Sequence, residues 1–303
     1  MKRLRSASLL ALCGLLIWLL ADSTALRDAA MEALGLCARS VIPALFPFLV
    51  VSSLLISLGF GEWVGPRLSG FMTPLYRLPG CAAAAVVLGL VGGYPIGART
   101  AAQLHRDGLL SREEARRLLS FCNNSNPVFL LSVLGQGVFG SPGAGLALWL
   151  IHVGSALLTG LFFRGRGQKA VRRSAPGRVA VRTVRFSSAF VTAVREGAMS
   201  MVGICGFVVF FYVLSSPFGH LQGLFGTAII GVLELFSLTP RLRPGFSSFV
   251  LAAACTGWGG VSVLCQTAAV LEGSGLSVDS CIKGKAVQAG LSALLACLIW
   301  PGL

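Results

Sequence analysis

Charge is scarce in this chain. Of its 303 residues, 12% are Asp, Glu, Lys or Arg, about half the share usual in soluble domains, and 55% are hydrophobic. With a mean hydropathy of +0.80, that scarcity excludes a soluble globular domain and predicts an integral membrane protein. Acid is scarcer still, with 11 Asp and Glu against 25 Lys and Arg. No cluster of carboxylates, no H-E-x-x-H and no G-x-S-x-G beside a usable His/Asp pair is present, so no catalytic residue is assigned and the chain reads as no enzyme. The three histidines, His105, His152 and His220, are far apart and carry no ligand spacing. Nine cysteines are scattered without a single C-x-x-C pair, mostly inside apolar runs. They read as small core hydrophobes, which leaves no metal site, no cofactor and no disulfide framework.

The net charge of +14 does not imply nucleic acid. The basic residues lie in short segments between apolar runs, where Lys and Arg fix orientation by staying cytoplasmic. Between residues 164 and 186 stand Arg164, Arg166, Lys169, Arg172, Arg173, Arg178, Arg182 and Arg185, with no acid and with Ser174, Pro176 and Gly177 among them. This is the composition of a cytoplasmic linker, placed against anionic lipid. Residues 1–30 open with Lys2, Arg3 and Arg5, continue through the apolar run Leu9 to Leu20 and reach Ser23-Thr24-Ala25. The pattern suits an uncleaved first membrane helix with its start in the cytoplasm, or a signal-like segment cut after Ala25.

What the chain does have, it has twice. Thr73-Pro74, Leu78-Pro79-Gly80, Gly92-Gly93 and the turn Gly108-Leu109-Leu110-Ser111 recur, about 165 residues later, as Thr239-Pro240, Arg243-Pro244-Gly245, Gly259-Gly260 and Gly275-Leu276-Ser277. Upstream, Glu32 matches Glu196. The expectation is an all-α polytopic membrane protein with two internal repeats, residues 31–163 and 187–303, of inverted topology. About eight spans are drafted. Leu34–Leu58 is bent by Pro43 and Pro47. Phe60–Tyr76, with Glu62, Arg67, Pro66 and Pro74, is interfacial or a poor span, whereas Leu221–Leu238 is plainly apolar. Ser111 followed by Glu114 predicts a capping box opening a helix. Val128–Phe139 and Gly145–Phe163 close the first copy; Ala198–Leu214, Phe246–Cys255, Val261–Leu271 and Ala286–Trp300 complete the second. Several pieces fall short of the ~20 residues that a span needs, so they read as discontinuous or re-entrant helices.

Broken backbone inside a bilayer persists only where protein buries it or a wet cavity meets it. Three stretches fit that condition: Gly92, Gly93, Tyr94 and Pro95; Asn123, Asn124, Ser125 and Asn126; and Gly257, Trp258, Gly259, Gly260 and Ser262. Free amides at such helix starts suit a carboxylate or phosphate, and Asn and Ser hydrogen-bond a polar solute without adding negative charge. Arg99 follows the first break as a candidate anion partner or a snorkelling interfacial cation. Gln103 and Gln266 follow matched breaks as lesser candidates. Glu234, alone in its apolar stretch, is a candidate coupling group. The bland alternatives are close helix packing for the glycines and a polar surface cap for the asparagines.

The run from Gly92 to Ala98, the helix start Ser111-x-Glu113-Glu114-Ala115, the run from Leu119 to Phe129 and Gly257-Trp258-Gly259-Gly260-Val261-Ser262-Val263 together resemble the YlbJ family of sporulation integral membrane proteins. That family lies within the wider nucleoside-recognition, or Gate-domain, membrane proteins, and the resemblance runs from about Glu32 to Ala296. It implies a multi-pass protein of the cell membrane, or of a forespore membrane, in endospore-forming bacteria. It further implies a transporter-like core and movement of dipicolinate into the spore. The function expected is therefore a transporter or channel for a small polar, anionic solute. Its rival is a non-transporting scaffold within a membrane complex. Lipid is an expected partner, with a second copy or other membrane proteins as further ones.

Overall fold

Proline and glycine decide where the helices of this chain bend and stop. The computed structural model describes residues 2–165 and 185–300, all of it helix and loop with no strand among the described residues. Most of the basic segment expected as a linker, residues 166–184, lies outside the described residues. Helix α1 (Lys2–Ala21) leads into α2 (Ser23–Leu36) and α3 (Ile42–Ser57), which form one continuous rod of 35 residues. The rod widens into a π-turn at Cys37–Val41 just before Pro43. Pro43 has no N–H to give the carbonyl four residues back and its ring crowds that carbonyl, so the wider turn absorbs the defect.

Helix α4 (Phe60–Phe71) and its extension to Tyr76 meet Gly80–Gly92 at 96°. The corner holds Pro74, Arg77 with a left-handed φ of 53°, and Pro79. Beyond it run α5 (Ala83–Gly92), α6 (Ile96–Arg106) and α7 (Arg112–Leu119). The predicted capping box at α7 is present: the Ser111 hydroxyl accepts from the Glu114 amide at 3.3 Å, and the Ser111 amide donates to the Glu114 carboxylate at 2.8 Å. A ten-residue π-helical segment, Phe129–Val138, and α8 (Pro142–Phe162) follow.

The second copy is α9 (Phe186–Ser215), α10 (Gly223–Leu233), α11 (Phe246–Trp258), α12 (Val261–Leu271) and α13 (Asp279–Ile299). With its 3₁₀ extension to His220, α9 is also 35 residues long. The two rods lie antiparallel: Ser53 near the end of one hydrogen-bonds Glu196 near the start of the other at 3.0 Å, while Glu32 near the start of the first shares a pocket with Tyr212 near the end of the second. Matched helices thus point in opposite directions, which is the relation expected of inverted repeats.

Two features differ from the sequence expectation. Among the described residues five helices are long and apolar enough to cross a membrane, six if the 96° pair is one broken span. That is fewer than eight, because Ser6–Ala21, Phe129–Val138 and Gly223–Leu233 are apolar but short. Second, Leu221–Leu238 is not one helix. The chain leaves helical geometry at Glu234 and resumes as a 3₁₀ turn at Phe236–Arg241. Glu234 accepts from the Ser237 amide at 2.6 Å and its hydroxyl at 2.8 Å, a local cap that starts the new turn, and Pro240 withholds the amide that would bond the Phe236 carbonyl in an α-helix.

Two apolar cores result. The larger joins both copies, with Leu45, Phe129, Leu148, Val208 and Phe249 among its members; the smaller is built around Leu78, Leu104 and Leu118 of α4–α7 and takes in Leu271 and Leu276 of the second copy. Phe162, Phe225 and Leu298 are among the large apolar side chains left exposed on the outer faces. On a soluble protein such surface is costly; in a bilayer it is the lipid-facing side. The chain is an integral, multi-pass membrane protein.

Candidate solute site where the helix breaks meet

The three interruptions read from the sequence come together. At the first, Gly93 carries a φ of 86°, open to glycine but strained for other residues. A Cβ there would sit 2.8 Å from that of Asn126, so the first break and the asparagine run touch backbone to side chain. The Asn126 amide donates to the Gly92 carbonyl at 3.1 Å and the Val91 carbonyl at 3.3 Å, and its carbonyl accepts from the Val128 amide at 2.7 Å. Asn126 thereby satisfies the end of α5 and the start of the next helical segment together, supplying partners that helix termini lack. The second-copy break joins through Tyr94, whose hydroxyl donates to the Thr256 carbonyl at 2.9 Å. Gly259 faces that ring closely enough that a Cβ would stand 3.0 Å from the hydroxyl.

Asn123, Asn124, Ser125 and Asn126 are all buried, so the reading of this run as a polar cap on the surface does not hold. Asn123 donates to Thr267 of α12 at 2.8 Å, and Asn124 to the Phe121 carbonyl at 2.8 Å. The Ser125 amide donates to Nε2 of His152, on α8, at 2.9 Å. Each bond closes a group that would otherwise cost about 1–3 kcal/mol in apolar surroundings. Between the breaks lies a cavity of about 20 Å³, lined by Tyr94, Ser125, Asn126, Gln266 and the rings of Phe129 and Phe236. It has room for about one water.

Not every expected residue faces this point. Arg99 forms an ion pair with Glu196 and lies 3.4 Å from the Ser200 hydroxyl, so its charge is held between α6 and α9. Trp258 donates from its indole to the Val232 carbonyl at 3.0 Å, tying α11 to α10. Gly257 is a packing position, since a Cβ there would meet Ser292 and Ala289 of α13. Glu234 lies beside Gly260 but spends its carboxylate on Ser237. Gln103 pairs with Asp107 at 2.8 Å on an exposed face. Ser262 and Gln266 bond each other at 3.3 Å, Gln266 at the cavity wall.

Residues not singled out in the sequence complete the cluster. Lys285 of α13 is 1% exposed. Its ammonium donates to Gln288 Oε1 at 2.7 Å and stands 5.0 Å from the centre of the Tyr94 ring. Gln288 in turn donates to Asn124 Oδ1 at 3.1 Å and to the His152 carbonyl at 3.4 Å. One helical turn on, Ser292 donates to Ser155 at 2.8 Å. A readable signal existed: Cys281, Lys285, Gln288 and Ser292 recur at helical spacing on one face of α13, all buried. A helix drafted to start at Ala286 cuts that stripe in two.

With this geometry in place, comparison with known proteins bears on the chain. Residues 38–141 match the Gate family, described as nucleoside recognition. The Gate match contains the first break, Arg99 and the whole asparagine run; the second break and Lys285 lie beyond it. The chain is also similar to the sporulation integral membrane protein YlbJ of Bacillus subtilis (strain 168), 26% identical over 317 aligned residues that cover 91% of this chain and 78% of the relative. The resemblance read from the motifs is thus met by both comparisons. No solved structure matches the chain.

Proposed function

We propose that this protein is a transporter or channel for a small polar, anionic solute, dipicolinate-like in its chemistry, acting in spore formation at the cell or forespore membrane. The observation that carries the reading is the convergence of the broken helices of both copies on Tyr94. Inverted repeats with breaks meeting at their interface are the arrangement in which secondary transporters hold solute. The similarity to YlbJ supplies the sporulation context. In this reading the start of the chain and residues 164–186 face the cytoplasm, lipid and membrane-protein partners surround the spans, and the protein catalyses no chemistry. With about 20 Å³ between the breaks, the conformation is a shut one, and solute enters when the two copies rock apart.

That small cavity is also what favours the second reading, a non-transporting scaffold. Flux separates the two. The full chain, reconstituted in liposomes, is expected to move labelled dipicolinate faster than protein-free liposomes do, and Gln266→Ala is expected to slow that flux while leaving insertion intact. No flux of any small carboxylate or nucleoside above the protein-free control sinks the transport reading.

A further inference from the structure

Lys285 is the one side chain of the cluster whose charge nothing in its surroundings explains. Burying an ammonium costs several kcal/mol that an apolar residue of similar volume would avoid. Snorkelling does not account for it: Lys283, two residues away on the opposite face of α13, is exposed, whereas Lys285 points into the protein. Among the described residues no carboxylate lies within ion-pair distance of it. Its ammonium has one amide oxygen and one ring face, with the buried thiols of Cys122 and Cys281 nearby, a partial compensation for a group with three donors.

Two further buried atoms of the same cluster have no hydrogen-bond partner, Nδ1 of His152 and Oδ1 of Asn123. Because Nε2 of His152 accepts from Ser125, the neutral ring carries its proton on Nδ1, so the atom left over is a donor. A cation on α13 and an N–H donor on α8 thus stand in one hydrogen-bonded group through Gln288, each with capacity to spare, and the free amide oxygen lies on the adjoining asparagine run, where Asn123 is tied to Thr267. Tyr94 is common to both, lining the cavity and turning its ring face toward the ammonium.

We propose that Lys285 supplies the positive charge that receives the carboxylate of an anionic solute, with His152 as a second donor, and that a swing of Tyr94 opens the cavity onto it. The identity of the solute class rests on the transport reading above; the role of Lys285 is tested separately from it. An intramembrane ionisable residue facing the protein interior marks a solute or ion path, and a cation without a protein counter-charge fits an anion that comes and goes.

The experiment measures binding and flux side by side on the purified full chain. Dipicolinate is expected to raise the melting temperature of the wild-type protein, while its uncharged dimethyl ester is not. Lys285→Gln is expected to weaken dipicolinate binding by about 10- to 100-fold, the loss of one charge-assisted hydrogen bond, and Lys285→Arg to stay within about 10-fold of wild type. Equal binding by Lys285→Gln and wild type overturns the proposal, as does the absence of binding by wild type. Should neither variant fold, acid and ester are compared on the wild type alone, and equal protection by the two overturns it. Binding that depends on Lys285 without flux in liposomes leaves the anion site standing and removes the transport reading; flux unaltered in Lys285→Gln does the reverse.

Discussion

The two copies share a scaffold and differ in what they place at its centre. Their leading rods have the same length and lie antiparallel, and both break at paired glycines after a short apolar helix. After the following turn they diverge. The first copy opens a second break at Asn123–Asn126 before α8, while the second runs through α13 without interruption from Asp279 to Ile299. The unbroken helix carries Lys285, Gln288 and Ser292 to the open one. One copy thus contributes neutral amides and freed backbone, the other a rigid rail of charge and hydroxyl. A duplicated frame fixes position; the chemistry comes from where the copies stop being alike.

The sharpest test of that difference is at Gly97. A Cβ there would collide with the carbonyl oxygen of Cys122, which opens the asparagine run. The matched position in the second copy is Leu264, and no break lies opposite it. Gly97→Leu is therefore expected to cost about 3 kcal/mol or more by forcing α6 off the run. Thermal melting of the detergent-purified protein measures it. A melting temperature equal to that of wild type shows that the two segments are not pressed together and that the first copy's second break is not clamped by α6.

How much of this was legible beforehand follows from the same contrast. The breaks were readable because Gly and Pro act locally: Gly92-Gly93, Gly259-Gly260 and Pro127 end or begin helices through their own backbone chemistry. The capping box at Ser111 and Glu114 is likewise a property of four consecutive residues. Lys285 was not readable from charge alone, since Lys283 and Lys285 stand together just before the apolar run from Ala286; only packing of α13 against α8 and α11 buries one and exposes the other. The partner of Arg99 was hidden for the same reason, because Glu196 lies 97 residues away. The end of α10 at Glu234 turns on a hydrogen bond to Ser237 that composition, uniformly apolar around it, conceals.

A smaller effect is expected at Asn126, which latches the first copy's two breaks and has no equivalent in the second. Asn126→Ala leaves the buried Gly92 carbonyl and the half-buried Val128 amide without their partners, at about 1–3 kcal/mol. Amide hydrogen exchange distinguishes a latch from a bystander: Val128 and its neighbours should lose protection in the variant while α11 and α12 keep theirs. Uniform loss across both copies shows instead that the two halves open as one unit and that the latch is not confined to the first.

The smallest effect is expected where the copies are most nearly symmetric, at the acids on the two rods. Glu196 meets Arg99 and Ser53, whereas its counterpart Glu32 faces Tyr212. The Arg99 and Glu196 side chains are 27% and 42% exposed, so screening by water or lipid headgroups keeps the pair near the surface value of about 0–1 kcal/mol. A double-mutant cycle of Arg99→Gln with Glu196→Gln, read by melting temperature, should return a coupling at or below about 1 kcal/mol. Dipicolinate binding should survive Arg99→Gln within a few-fold if Lys285 is the residue that receives the solute's charge. Loss of binding in Arg99→Gln with retention in Lys285→Gln moves the anion site from α13 to α6 and makes the first copy, not the second, the source of positive charge.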